Sequence, residues 1–311
     1  MNTTEKEKKK SISFAQLIDA IEYNNYRLSS GKKVLELPLY FVLGKSVLSC
    51  YEEFYDKYNT LLQDEQVDED IRKTAKKLSD GLLETVKNYL NGKIATSYSN
   101  FRNAMSHIEG ILPLVQVEER DFYRMRSDLG LTDTKDFWHI PFNKVYLSKS
   151  ERFSIEGYPI LYLGYSKNVC EKEISEGSLA KFSLKRPISD VLDLTLGQGE
   201  GMRFLSDDQL MKVYPLIASC YVVPFYSILK EKECRPTCAF FREEYIIPQF
   251  LTMYLKDEKK AKGIIYYSVK DPNLKVYGKD EDDLRNLALY TSRNDGEIYD
   301  KQLMDYFEIK L

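Results

Sequence analysis

The chain has 311 residues, of which 43% are hydrophobic and 30% are charged, as in a soluble globular protein with room for two domains. The net charge of -3 argues against nucleic-acid binding, which needs a basic face. No run of 18 apolar residues and no apolar signal core are visible, so we expect a cytoplasmic protein without a membrane-spanning helix.

Residues 1–114 are predicted to form an all-helical N-terminal domain. Apolar residues recur at spacings of three and four in the first helix. A second helix is predicted from Leu37 to about Gln63, a third ends at Asn91-Gly92, and a fourth covers ATSYSNFRNAMSHI. The stripe of the first helix consists of Phe14, Leu17, Ile18 and Ile21.

Residues 115–311 have the pattern of an α+β domain. Short runs rich in Val, Ile, Tyr and Phe alternate with Gly, Pro and Asp turns, as strands do. The predicted strands are DFYRMR, YPILYLGY, LAKFSL, DVLDL and GIIYYSV, and helices are predicted at SKNVCEKEISEG and EEYIIPQFLTMYLK.

The five cysteines indicate free thiols, since their number is odd and no secretion signal precedes them. Cys234 and Cys238 are spaced like the start of a metal site. The chain has two histidines, His107 and His139, and no second cysteine pair, so we expect no metal.

Two segments carry arginines suited to an anion. Alternation along the strand FYRMR places Arg124 and Arg126 on one face, where they would grip a pyrophosphate or line a solvated surface with salt bridges. In RFSIEGYPILYLG, Arg152 precedes a Glu156-Gly157 turn and Tyr162 lies in the following strand, which also describes an ordinary hairpin.

Two further segments carry a carboxylate and a hydroxyl. In SKNVCEKEI, Ser166 is predicted to cap a helix whose inner face carries Val169, Cys170 and Glu173. A carboxylate on such a face is either functional or a boundary residue, because burying a charge is costly. Ser268 ends the GIIYY strand, where serine is common in a turn.

These segments, taken in order, resemble the RES-domain family, which is named for an Arg, a Glu and a Ser. The resemblance rests on RFS-x-x-G-x-P-x-LYLG, then S-x-x-x-C-x-x-E, then EYIIPQ followed by GI-x-Y-x-S, with FYR and WHIPFN upstream. It spans about residues 120 to 270. It implies an ADP-ribosyltransferase-like mixed β core with flanking helices over residues 115–311.

The resemblance implies consumption of NAD⁺ by hydrolysis or phosphorolysis of the nicotinamide–ribose bond. Many members are growth-arresting toxins held in check by an antitoxin, and one branch ADP-ribosylates a protein. NAD⁺ would be the substrate, and no bound cofactor or metal is implied.

The family's catalytic positions fall on Arg152, Tyr162, Glu173 and Ser268. Its early-strand arginine falls on Arg124, with Arg126 as the near alternative. Phe153 and Ser154 follow Arg152 where many members have Trp-Asn, a change within the motif that leaves the arginine in place. The implied substrate-binding residues are Arg124, Arg126, Phe153, Ser154 and Gln249.

Three alternatives remain open. Glu243 and Glu244 before YIIPQ would suit a protein ADP-ribosyltransferase, although acidic residues are also common at a helix N-terminus. A regulatory module that binds NAD⁺ or ADP-ribose without turnover is the second. The third concerns the helical N-terminal region, which we expect to modulate activity, although a homo-oligomerisation domain and a mere packing partner for the catalytic domain are the other interpretations.

Overall fold

The computed structural model describes residues 39–41, 46–65, 67–195, 205–224, 241–258, 260–269 and 281–311. The predictions for the first-helix stripe and for Cys234 and Cys238 lie outside these residues. The chain forms two compact units, of which the first contains Leu48–Ile111 and Leu205–Leu216 and the second the other described residues.

The elements are numbered here in chain order. The helices are α1 Val47–Leu61, α2 Glu69–Leu90, α3 Ile94–Ser106, α4 Lys167–Glu173, α5 Asp207–Cys220, α6 Ile246–Asp257 and α7 Lys301–Met304. The strands are β1 Leu39–Phe41, β2 Leu114–Val117, β3 Asp121–Arg126, β4 Ile160–Gly164, β5 Ser178–Leu184, β6 Ile188–Asp193, β7 Val222–Pro224, β8 Gly263–Tyr267, β9 Arg285–Tyr290 and β10 Phe307–Lys310.

The first unit is helical. Helix α2 ends at Leu90, with Asn91 as its C-cap and Gly92 at a φ of 74°, so the predicted stop at Asn91-Gly92 is confirmed. Gly81 lets α3 approach closely, since a Cβ there would lie 2.6 Å from Ala104 Cβ. The Tyr58 hydroxyl donates to the Met211 carbonyl at 2.6 Å, which ties α1 to α5.

The prediction of a helix from Leu37 is wrong at its start. Residues Leu39–Phe41 form β1, which pairs in parallel with β7, and the helix begins at Val47. The tyrosine and phenylalanine of this segment favour a strand once a partner strand is available, and that partner lies far away in sequence.

The second unit is α+β, which confirms the predicted fold class. Within the described residues its sheet has the order β10-β5-β3-β4-β9-β8-β6-β2 and is mixed, because β6 and β8 are parallel whereas the other pairs are antiparallel. One face of the sheet packs onto a core built around Phe122, Phe182, Leu163 and Leu287. No helix in the described ranges is long and apolar enough to cross a membrane.

Local sequence patterns correctly predicted several elements near the site. Strand β3 covers DFYRMR as predicted, and Ser166 caps α4 by accepting from the Val169 N–H at 3.2 Å. Gly157 adopts a φ of 77° in the predicted turn. Strands β9 and β10 were not predicted from the sequence.

His139 is buried in the second unit and fits its surroundings as a neutral ring. Its Nε2 accepts from the Asp300 N–H at 3.0 Å, and its Nδ1 lies 2.8 Å from the Ile140 carbonyl oxygen, to which it donates. Burial is the main cause that lowers the pKa of His139. Protonation would cost the Asp300 contact, so the folded state disfavours the charged ring.

We therefore expect stability to fall as pH drops below about 6.5, the ordinary value that histidine has in the unfolded chain. Above that pH the contribution of His139 is fully present, and it is lost towards the lower pKa of the folded state. Thermal unfolding between pH 7.5 and 5.5 measures this loss. His139→Gln should flatten the dependence, whereas the same change at the exposed His107 should not; equal slopes in both variants would contradict the assignment.

Candidate functional site

Three strands bring the site residues onto one face of the sheet. Across β4, β9 and β8, Gly164 is in register with Asn286 and Asn286 with Tyr266. The next row joins Tyr162 to Ala288. Because residues in register and residues two apart share a face, Tyr162, Asn286 and Tyr266 all lie on the same side.

Helix α4 brings Glu173 to this face. Val169 and Cys170 anchor the helix in the interior, while Glu173 at its last position is half-buried. The helix fits closely over the end of β4, since a Cβ on Gly164 would lie 2.6 Å from both Cys170 Sγ and Val169 Cγ1. The glycine therefore sets how close the carboxylate comes to the sheet.

The Glu173 carboxylate is held by one side chain directly after β8 and one from β9. Ser268 donates through Oγ to Glu173 Oε1 at 2.5 Å, and the Asn286 amide nitrogen lies 3.4 Å from the same oxygen. Ser268 is almost fully buried, being only 1% exposed.

Tyr266 lies among the predicted catalytic residues. Burial raises the pKa of Tyr266 well above its ordinary value; Tyr162 and Glu173 raise it further, and Arg152 opposes them. These groups therefore lie within electrostatic reach of one phenol. The Tyr266 ring also packs against Phe153, with ring centroids 4.7 Å apart.

Arg152 lies in a tight turn closed by the bridge between Glu151 and Ser154. Its Nη1 donates to the Cys220 carbonyl at 2.8 Å, and its guanidinium lies 5.1 Å from the centre of the Tyr245 ring. Only 8% of the residue is exposed. The charge is thus held at a fixed place beside aromatic rings.

The Tyr162 hydroxyl is buried. Burial is the main cause that raises the pKa of Tyr162, while Ser154 and the Phe153 backbone lower it. These neighbours are close, but none in the described part of the chain makes a hydrogen bond of normal geometry with the hydroxyl. We therefore expect the phenol to stay protonated at neutral pH.

Arg124 fills the place where β3 and β4 separate. The two strands are in register at one pair, Tyr123 with Gly164, and beyond it the Arg124 Nη1 donates to the Tyr162 carbonyl at 2.9 Å. Burial and the like charge of Arg126 lower the pKa of Arg124 to about 9, so the guanidinium keeps its charge at neutral pH. Arg126 lies two residues further along β3 and is partly exposed.

Gln249, a predicted binding residue, supports the Arg152 turn from helix α6. The Gln249 amide nitrogen lies 2.7 Å from Ser150 Oγ, 3.0 Å from the Glu151 carbonyl and 3.2 Å from the Ser154 carbonyl. Thr252, one helical turn later, donates to the Phe153 carbonyl at 2.8 Å. Helix α6 thereby fixes the loop that presents Arg152.

The acidic pair before α6, Glu243 and Glu244, lies in one short 3-10 turn. Glu244 is 1% exposed, and its Oε1 lies 3.9 Å from Arg242 Nη1. This burial beside an arginine describes a structural carboxylate rather than one presented to a protein acceptor.

The structure thus brings Tyr162, Glu173 and Arg152 together around Tyr266, with Ser268 on Glu173. Two residues of the site, Tyr266 and Asn286, were not among the predicted site residues. Alternation along GIIYYS places Tyr266 on the same side as Ser268 and was the available signal for it. Asn286 gave no such signal, because it stands in a strand of otherwise mostly apolar residues.

Comparison with known proteins finds a bacterial relative. Over 253 aligned residues the chain is 28% identical to a Bacillus subtilis (strain 168) protein named "Putative toxin YopC", covering 71% of this chain and 55% of that protein. The chain therefore spans about half the length of the relative. No protein-family model matches the chain. No solved structure matches it either.

Proposed function

We propose that the second unit cleaves the bond between nicotinamide and ribose in NAD⁺. The observation that carries the proposal is the carboxylate of Glu173, held by Ser268 at 2.5 Å on a face that also presents Tyr162 and Tyr266 beside Arg152. The resemblance of the sequence to the RES-domain family supports the same substrate.

The chemistry suits a fixed carboxylate. Nicotinamide leaves as a neutral group from a cationic precursor, so no general acid is required, and positive charge develops on the ribose as in glycoside cleavage. A carboxylate oriented before the reaction stabilises that charge more in the transition state than in the substrate. Glu173 takes this role in the proposal, with Ser268 fixing its orientation.

The arginines and tyrosines supply binding. Arg152 and Arg124 are the candidates for the pyrophosphate, since guanidinium groups bind oxyanions in pairs. The Nε of Arg124 is buried and meets no hydrogen-bond acceptor among the described residues, which fits a role towards a polar ligand. Tyr162 would contact the nicotinamide ring, and Phe153 and Ser154 would face the ribose.

The biological role in this proposal is that of a growth-arresting toxin. The name of the Bacillus subtilis relative, which describes a toxin, supports this role and not the reaction. A toxin that destroys NAD⁺ would act in the cytoplasm and need a protein antitoxin as partner. We assign the helical N-terminal region a modulating or oligomer-forming part.

The test is incubation of the full chain with NAD⁺, with and without phosphate and with cell extract, followed by mass analysis. Free nicotinamide with ADP-ribose indicates water as the acceptor, and nicotinamide with ADP-ribose 1″-phosphate indicates phosphate. Label transferred to a protein would favour the transferase instead. Intact NAD⁺ that nonetheless raises the melting temperature would favour the non-catalytic binding module.

A further inference from the structure

Asn286 occupies a place where an amide is costly. All six residues of β9 are buried, and Asn286 itself is 6% exposed between the apolar Leu287 and the buried Arg285. A buried amide is tolerated where it makes hydrogen bonds, and the partner of its nitrogen is Glu173 Oε1. The contact with the Glu173 carboxylate therefore accounts for an amide at this buried position.

The register of the sheet fixes Asn286 under the carboxylate. It lies between Gly164, the residue over which α4 passes, and Tyr266. Its backbone belongs to the middle of three paired strands, so it cannot shift without the sheet. The amide nitrogen is the one atom of this side chain able to donate to a carboxylate.

Two donors then converge on one oxygen of Glu173. Ser268 and Asn286 both lie within hydrogen-bond distance of Oε1. These two contacts fix the rotation of the carboxylate and therefore determine where Oε2 points. We propose that Asn286 is a positioning residue, which holds the Glu173 carboxylate turned so that Oε2 faces the ribose of the substrate. The catalytic part of this inference rests on the proposed function.

Other titratable groups lie around Glu173 and remain in place in every variant of the test. Cys170 on the same helix interacts with both Glu173 and Arg124, the latter from β3, and Tyr266 approaches from β8. The turn before β9 approaches α4 through Asp283, whose carbonyl accepts from Lys172 at 3.2 Å and whose carboxylate accepts from Asn168 at 2.9 Å. All of these groups are still present when Asn286 is replaced.

The decisive variant is Asn286→Asp, which keeps the size of the side chain and replaces the donor by a second carboxylate. Two carboxylates this close share a proton, so the acid limb of the pH profile of nicotinamide release should move up by about one pH unit or more. Asn286→Ala should lower kcat on the order of tenfold to a hundredfold with KM within about threefold, since only the orientation of Glu173 is lost.

A readout without NAD⁺ separates this inference from the proposed function. The carboxyl carbon of Glu173, assigned by NMR through Glu173→Gln, should titrate at higher pH in Asn286→Asp than in the wild-type chain. An unchanged midpoint, or an Asn286→Ala protein with wild-type kcat, would overturn the positioning role. If Asn286→Asp does not fold, the kcat and KM of Asn286→Ala decide. If the midpoint shifts in a chain that leaves NAD⁺ intact, the proposed reaction is refuted, but the contact between Asn286 and Glu173 is supported.

Discussion

Glu173→Gln should lower the rate of nicotinamide release from NAD⁺ on the order of a hundredfold to a thousandfold. Glutamine has the same size and still accepts from Ser268, but it carries no negative charge to stabilise the ribose cation. Glu173 is half-buried at the end of a helix, so the fold should persist. The measurement is kcat at neutral pH, together with the melting temperature.

The matched control is Glu171→Gln, since Glu171 lies on the same helix and is exposed. It removes the same charge from the same element without touching Ser268 or Asn286. We expect wild-type kcat from this variant. A Glu173→Gln protein that is folded and as active as the Glu171→Gln protein would show that the carboxylate has no part in the reaction.

Gly164→Ala should damage both stability and activity. The added Cβ would come within 2.6 Å of Cys170 Sγ and Val169 Cγ1 and 3.1 Å of the Ser166 carbonyl, all on or next to α4. The helix must move outward, and overpacking of this kind costs about 1–3 kcal/mol. Because α4 carries Glu173, a shift of one ångström would lower kcat about a hundredfold.

Gly110→Ala provides the comparison, because nothing lies within 4 Å of a Cβ at that position. Its melting temperature and kcat should both stay near the wild-type values. Chemical unfolding gives the stability difference, and the NAD⁺ assay gives the rate. Full activity in Gly164→Ala would mean that the placement of α4 does not control the carboxylate.

Local patterns in the sequence predicted the parts of the site better than their assembly. The strand carrying Tyr162, the Ser166 cap and the start of α4 follow from alternation and capping, which act over a few residues, whereas α4 ends at Glu173, earlier than the predicted SKNVCEKEISEG helix. Glu173 and Ser268 are 95 residues apart and meet through the sheet, so no local rule joins them. The resemblance to the RES-domain family supplied that link.

The wrong helix start at Leu37 and the unpredicted role of Asn286 have the same origin. The segment at Leu39–Phe41 became a strand because β7, more than 180 residues later, pairs with it. Asn286 was not predicted as a site residue because its neighbours are mostly apolar and because its contact is with Glu173, on a helix elsewhere in the chain. Both depend on contacts between distant residues, which propensity and periodicity do not contain.

The most direct test of the central claim is the release of labelled nicotinamide from NAD⁺ by the purified full chain at a large excess of substrate. We predict many turnovers per protein molecule, with equal loss of NAD⁺, and a rate in Glu173→Gln that is lower on the order of a hundredfold to a thousandfold. NAD⁺ that remains intact after long incubation, with phosphate and cell extract present, would contradict the account.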